Sequence, residues 1–164
     1  MLPVANVPTL HYVIEFLIFN KVKEIILATR DNFDQLKAFV NKMGYSTKGR
    51  SRKFKITIRS IKDDSESFGD VLRQVADMQL IKDDFILVRS DIITNINLHP
   101  ALKMHYHVKQ LESKKENQTT DSRKNKTIMT KLFIKMADSN PLRDPAFTDV
   151  TLLMDDQTKE IINY

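Results

Sequence analysis

Leu10, Val13, Ile14, Leu17 and Ile18 recur at the three- and four-residue spacing of a helix, with Pro8 near its start and Asn20 at its end. Residues 22–29 (VKEIILAT) follow as a short, nearly continuous apolar run, the pattern of a buried strand. Asp31 is placed to cap a second helix carrying Phe33, Leu36, Phe39, Val40 and Met43, and Gly44 stops it. A basic loop over 46–52 leads into Phe54, Ile56 and Ile58, whose period of two predicts a strand. Val71, Leu72, Val75 and Met78 make one stripe of a helix over 68–78. Residues 84–88 (DFILV) are apolar on both faces and read as the central parallel strand. The next helix spans 98–111, with Leu102, Tyr106 and Leu111 as its expected inner face. Segment 113–126 is polar, charged and free of large apolar groups, which predicts a mobile insertion. Beyond it, 127–136, 150–154 and 159–162 read as strands, the last two joined by the turn Asp155-Asp156-Gln157-Thr158.

Helix and strand alternate through the first two-thirds of the chain. That order predicts an α/β fold, with right-handed crossovers building a three-layer, mostly parallel mixed sheet with helices on both faces. The closing strands extend the sheet with a mixed or antiparallel edge. A length of 164 residues suits one domain spanning 1–164. The chain opens on Leu2-Pro3-Val4-Ala5-Asn6-Val7-Pro8 and enters its first helix with no strand ahead of it. A tight Pro/Asn turn of this kind normally follows a first strand and its phosphate loop. The sheet is therefore expected to lack its first strand, which leaves apolar surface open and makes the isolated chain marginally stable or prone to aggregate.

The formal net charge of +5 is modest, and its signs are mixed along the length. No sustained basic stripe with interleaved aromatics appears, so no direct nucleic-acid contact is expected. With no cysteine, disulfides, thiolate chemistry and Cys-type zinc sites are excluded. The first twenty residues are apolar, but Pro3, Pro8 and Glu15 interrupt them and no positive segment leads. They are too short and broken to span a bilayer, and a cytoplasmic, soluble protein is the expectation. The glycan-acceptor triplets at Asn117 and Asn125 fall in the polar segment, where chance places them.

Candidate chemistry is sparse. In open α/β sheets ligands sit beyond the carboxyl ends of the strands, and Asp91 falls there, three residues past Val88. Its carboxylate could hold Mg²⁺ against a phosphate, or it could cap a turn or pair with Arg89; a single carboxylate is too little for Mg²⁺ alone. Gly69-Asp70-Val71-Leu72-Arg73 opens a helix whose free N–H groups could face an anion. Equally, Gly69 permits the turn and Asp70 suits the helix dipole. Thr94-Asn95-Ile96-Asn97 offers small polar groups to a crevice, in residue types that also cap and turn. His105 and His107 are two apart and point to different faces of a helix, so they are poor shared ligands and read as surface residues. No nucleophile elbow surrounds any Ser or Thr, and no GKS or GKT loop exists. Gly44, Gly49 and Gly69 are the whole glycine complement, so no glycine-rich loop can bring backbone amides around a triphosphate.

The opening turn with Tyr12, the Gly69–Arg73 helix start, and Asp84-Phe85-Ile86-Leu87-Val88 ahead of Asp91-Ile92-Ile93-Thr94-Asn95-Ile96 together resemble the sugar-nucleotide pyrophosphorylase fold. The closer resemblance is to the epsilon-subunit family of the guanine-nucleotide exchange factor for translation initiation factor 2. It covers nearly all of the chain except 113–126. Ser90 stands where many relatives have Gly, and the family's first strand and glycine-containing loop would precede Met1. The resemblance implies a partial, Rossmann-like nucleotidyltransferase domain that is not itself an enzyme. It would be a scaffold segment that packs on a sister nucleotidyltransferase-like subunit and positions a catalytic domain lying beyond Tyr164 on initiation factor 2. It implies no catalytic residue, cofactor or metal, and leaves Asn6, Gly69, Asp70, Asp91 and Asn95 as vestigial family positions. A sugar-nucleotide pyrophosphorylase fragment is the alternative it leaves.

Overall fold

The structure, a computed structural model, describes residues 3–45, 54–62, 67–116, 127–133, 153–158 and 161–163. The expected basic loop over 46–52, positions 117–126 of the polar segment, and the strand portions 134–136, 150–152 and 159–160 lie outside them. The chain is mixed α/β and divides into two compact units, residues 1–100 and 101–164. Among the described residues each sheet is two-stranded.

The first unit opens on an antiparallel hairpin of β1 (Pro3–Val4) and β2 (Val7–Pro8). Its two-residue loop has Ala5 at φ 50° and Asn6 at φ 63°, the doubly left-handed geometry that matches the twist of paired strands. Asn adopts that region readily; Ala5 sits there against its Cβ. The Tyr12 hydroxyl donates to the Val4 carbonyl at 3.2 Å and fastens the hairpin to helix α1 (Thr9–Phe19). Pro8 precedes the first turn, where no N–H is needed. The helix buries Val13, Ile14, Phe16 and Leu17, a stripe at helical spacing. It ends with Lys21 at φ 61°, while the Lys21 and Val22 N–H groups reach the carbonyls of Ile18 and Leu17 at 2.9 and 3.0 Å. This double closure satisfies carbonyls that the helix end would otherwise leave open.

Next comes a parallel β-α-β unit. Strand β3 (Glu24–Thr29) pairs in parallel with β4 (Lys55–Ser60), placing Ile25 beside Ile56 and Leu27 beside Ile58. Helix α2 (Phe33–Lys42) makes the crossover and buries Leu36, Phe39 and Val40. Its N-cap is Asn32 in the left-handed region, at φ 60°, rather than the expected Asp31, whose carboxylate pairs with Arg30 at 3.4 Å. Asn tolerates the positive φ that the chain needs to turn from strand to helix within three residues. Gly44, at φ 67°, closes the other end as expected, with Gly44 and Tyr45 N–H groups on the Asn41 and Val40 carbonyls. Helix α3 (Phe68–Asp77) follows and is held to the end of β4 by the Lys62 N–H donating to Gln74 Oε1 at 2.9 Å. The buried apolar core draws on α1, β3, α2 and Val75 of α3, with Tyr45, Ile61 and Leu98 between elements. Every one of these residues lies within 1–100.

The expected central strand at 84–88 is a correction. Among the described residues it joins no ladder, and Phe85 and Leu87 stand 55 and 50 % exposed. Hydrophobicity states a demand for burial, but a strand also needs neighbours for its N–H and C=O groups. No described sheet includes 84–88.

Helix α4 (His99–Glu116), which belongs to the second unit from Ala101 onward, runs five residues past the expected end and takes in the first four residues of the polar segment. Its half-buried positions include Leu102, His105, Val108 and Glu112, whereas Tyr106 and Leu111 are exposed. The expected inner face was geometrically inconsistent, because Leu102 and Leu111, nine residues apart, fall on opposite sides of a helix. Residues 127–133 carry no strand, contrary to expectation; polar ties take the place of a ladder. The Thr127 N–H donates to both Glu112 carboxylate oxygens at 3.0 and 3.1 Å, its hydroxyl donates to Oε1 at 2.6 Å, and Thr130 Oγ1 lies 2.9 Å from His105 Nδ1. Strands β5 (Leu153–Met154) and β6 (Ile161–Asn163) pair antiparallel, but among the described residues they form a two-stranded sheet of their own rather than the expected edge of a larger one. Their turn is organised by Asp155 Oδ1, which accepts from the Gln157 and Thr158 N–H groups at 2.9 and 2.6 Å.

Candidate functional site

A shallow cleft of about 370 Å³ opens at the carboxyl ends of β3 and β4. Ala28 and Thr29 end one strand there, Ile61 follows the other, and Arg30, Asp31 and Asn32 lead into α2. Val71, from the first turn of α3, completes the lining. The position follows from topology: two parallel strands end on the same side, and each chain must turn away from the sheet. Thr29, Arg30 and Asp31 on its rim are engaged with each other. The Thr29 hydroxyl donates to the Asp31 carbonyl, and Arg30 leans on the Asp31 carboxylate with both side chains more than half exposed.

None of the five family positions lines that cleft. Asn6 turns the opening hairpin and is exposed. Gly69 sits in the first turn of α3, where, among the described residues, an added Cβ would meet Ser67 Oγ at 3.6 Å and an Arg73 guanidinium nitrogen at 3.9 Å. Those are ordinary contacts, so no described neighbour and no backbone angle demands glycine there. Asp70 is the most constrained of the five. Its Oδ2 accepts from the Ser67 N–H at 2.9 Å and the Ser67 hydroxyl at 2.7 Å, its own N–H donates to Ser67 Oγ at 3.2 Å, and Arg73 pairs with Oδ1. The Ser67 hydroxyl, then Arg73, then the Ser67 N–H hold the Asp70 carboxyl down to about 2. Asp70 is thus the second half of a reciprocal cap on α3.

Asp91 gives both oxygens to Arg89, with Nε–Oδ1 at 3.0 Å and a terminal nitrogen–Oδ2 at 2.6 Å. That fork lowers the Asp91 carboxyl and raises the Arg89 guanidinium. Any cation approaching Asp91 competes with a bidentate partner already in place. Asn95 is exposed on the segment that follows. Among the described residues no three His, Asp or Glu side chains converge as a metal site, and no helix is long and apolar enough to cross a membrane.

Two polar residues matter that the pattern of the chain does not single out for their contacts. Asn20 donates to the Phe16 carbonyl at 3.0 Å and the Ile96 carbonyl at 3.3 Å, and its Oδ1 accepts from the Leu98 N–H at 2.8 Å. It therefore fixes the segment after Asp91 to the end of α1. Tyr45, only 4 % exposed, sets its hydroxyl between Glu15 and His11, donating to Glu15 and lying 2.8 Å from His11 Nδ1. With its one proton on Glu15, the hydroxyl accepts from His11. Neither residue announces its role by local spacing; Ser67-x-x-Asp70, by contrast, is a capping-box spacing plain in the sequence.

The fold and site thus define a mixed α/β protein built on a parallel β-α-β unit, with capping and pairing roles for its most conspicuous carboxylates. No protein-family model matches the chain. Over 112 residues it is 31 % identical to translation initiation factor eIF2B subunit epsilon of Dictyostelium discoideum, a match covering 68 % of this chain and 15 % of that protein. Over 105 residues it is 33 % identical to the same subunit of Schizosaccharomyces pombe (strain 972 / ATCC 24843), covering 64 % of this chain and 15 % of that protein. Over about two-thirds of its length the chain is eIF2B epsilon-like, and it spans about 15 % of the length of these relatives.

Proposed function

We propose that this chain is a scaffold segment of the guanine-nucleotide exchange factor that acts on translation initiation factor 2 in the cytosol. It packs against other subunits, a sister nucleotidyltransferase-like subunit first among them, and helps position exchange chemistry carried outside these 164 residues. The observation that carries the reading is the 31–33 % identity to eIF2B epsilon subunits. In this reading β3, α2 and β4 belong to a larger, mostly parallel three-layer nucleotidyltransferase-like sheet, and the segment itself is not an enzyme. Two further features support it. The three glycines are scattered, so these residues offer no loop for a triphosphate. Asp91, the one carboxylate read as a possible Mg²⁺ ligand, is committed to Arg89, and Asp70 to Ser67 with Arg73. Affinity capture of the tagged chain from cells is expected to recover the other exchange-factor subunits; a capture free of them would contradict the proposal.

A second reading, a sugar-nucleotide pyrophosphorylase fragment, is favoured by one observation, the cleft at the carboxyl ends of β3 and β4. Incubation with a sugar phosphate, a nucleoside triphosphate and Mg²⁺ separates the two. The scaffold reading expects no pyrophosphate above a protein-free blank, and sustained release would favour the enzyme.

A further inference from the structure

No further inference is drawn: the strongest candidate, the run of exposed apolar side chains on the segment after α3 (Phe85, Ile86, Leu87, Ile92, Ile93 and Ile96), adds nothing to the packing role already proposed, because nothing in the structure shows what covers it.

Discussion

Asp70 shows how a residue that looks like chemistry can be architecture. Its carboxyl is held at about 2, below the usual 3.8, chiefly by the Ser67 hydroxyl. A folded-state value depressed in this way adds stability that is fully present above the unfolded value and is lost as pH falls toward about 2. Between pH 4 and 2 the native protein is therefore expected to lose stability more steeply than an Asp70→Ala variant. Urea midpoints at the two pH values read this directly, and equal slopes would refute the role. The reciprocal cap was legible in the sequence as Ser67-x-x-Asp70. The Arg89–Asp91 pair was legible only as one of several options, because spacing cannot choose between a fork to a neighbour and a ligand not yet bound. Asn20 was legible as a helix end, while its bonds to Ile96 and Leu98 were not. Contacts across more than seventy residues leave no trace in local pattern. Asn20→Ala strips the Leu98 N–H of its acceptor at a buried position, and a loss of about 1–3 kcal/mol in unfolding free energy is expected. A change within experimental error would show that the bond is replaced by water.

At the scale of elements, the helices of the first unit were read well because their signals are local. Stripes at helical spacing, Gly44 after α2 and Pro8 before α1 each fix a boundary by the backbone they permit. The closures of α1 and α3 are less favourable than that of α2. Lys21 and Gln79 occupy, at φ 61° and 51°, the left-handed position that Gly44 fills after α2. Lys21→Gly removes a strained Cβ at the cost of a looser unfolded chain, for an expected net gain of about 0.5–1 kcal/mol. Chemical denaturation tests the sign, and a destabilised variant would mean that the Lys21 side chain contributes more than its backbone costs. The strands were less legible. β3 and β4 found each other, with Ile25 opposite Ile56, whereas the apolar segment 85–88 belongs to no sheet among the described residues. A strand is a property of two segments, and period or hydrophobicity describes only one. Helix α4 gives the same lesson for faces: its apolar residues do not share a stripe, and polar ties from Glu112 and His105 fix which side is half-buried.

At the scale of the whole molecule, core and surface are mismatched. One core gathers α1, β3, α2 and Val75, yet Phe85, Leu87 and Ile93 remain about half exposed in the same unit. In the second unit Ile128 stands 90 % exposed. Surfaces of this kind are characteristic of chains that bury them against something else. The similarity to eIF2B epsilon subunits is what supports assembly rather than catalysis as the central proposal. The most direct test of the proposed assembly role is the mass of what forms when this chain is co-expressed with eIF2B subunits, read by size-exclusion chromatography with light scattering. The account predicts one peak in which the chain co-elutes in fixed stoichiometry with its partners. A chain that elutes apart from them, as a well-behaved monomer, would contradict it.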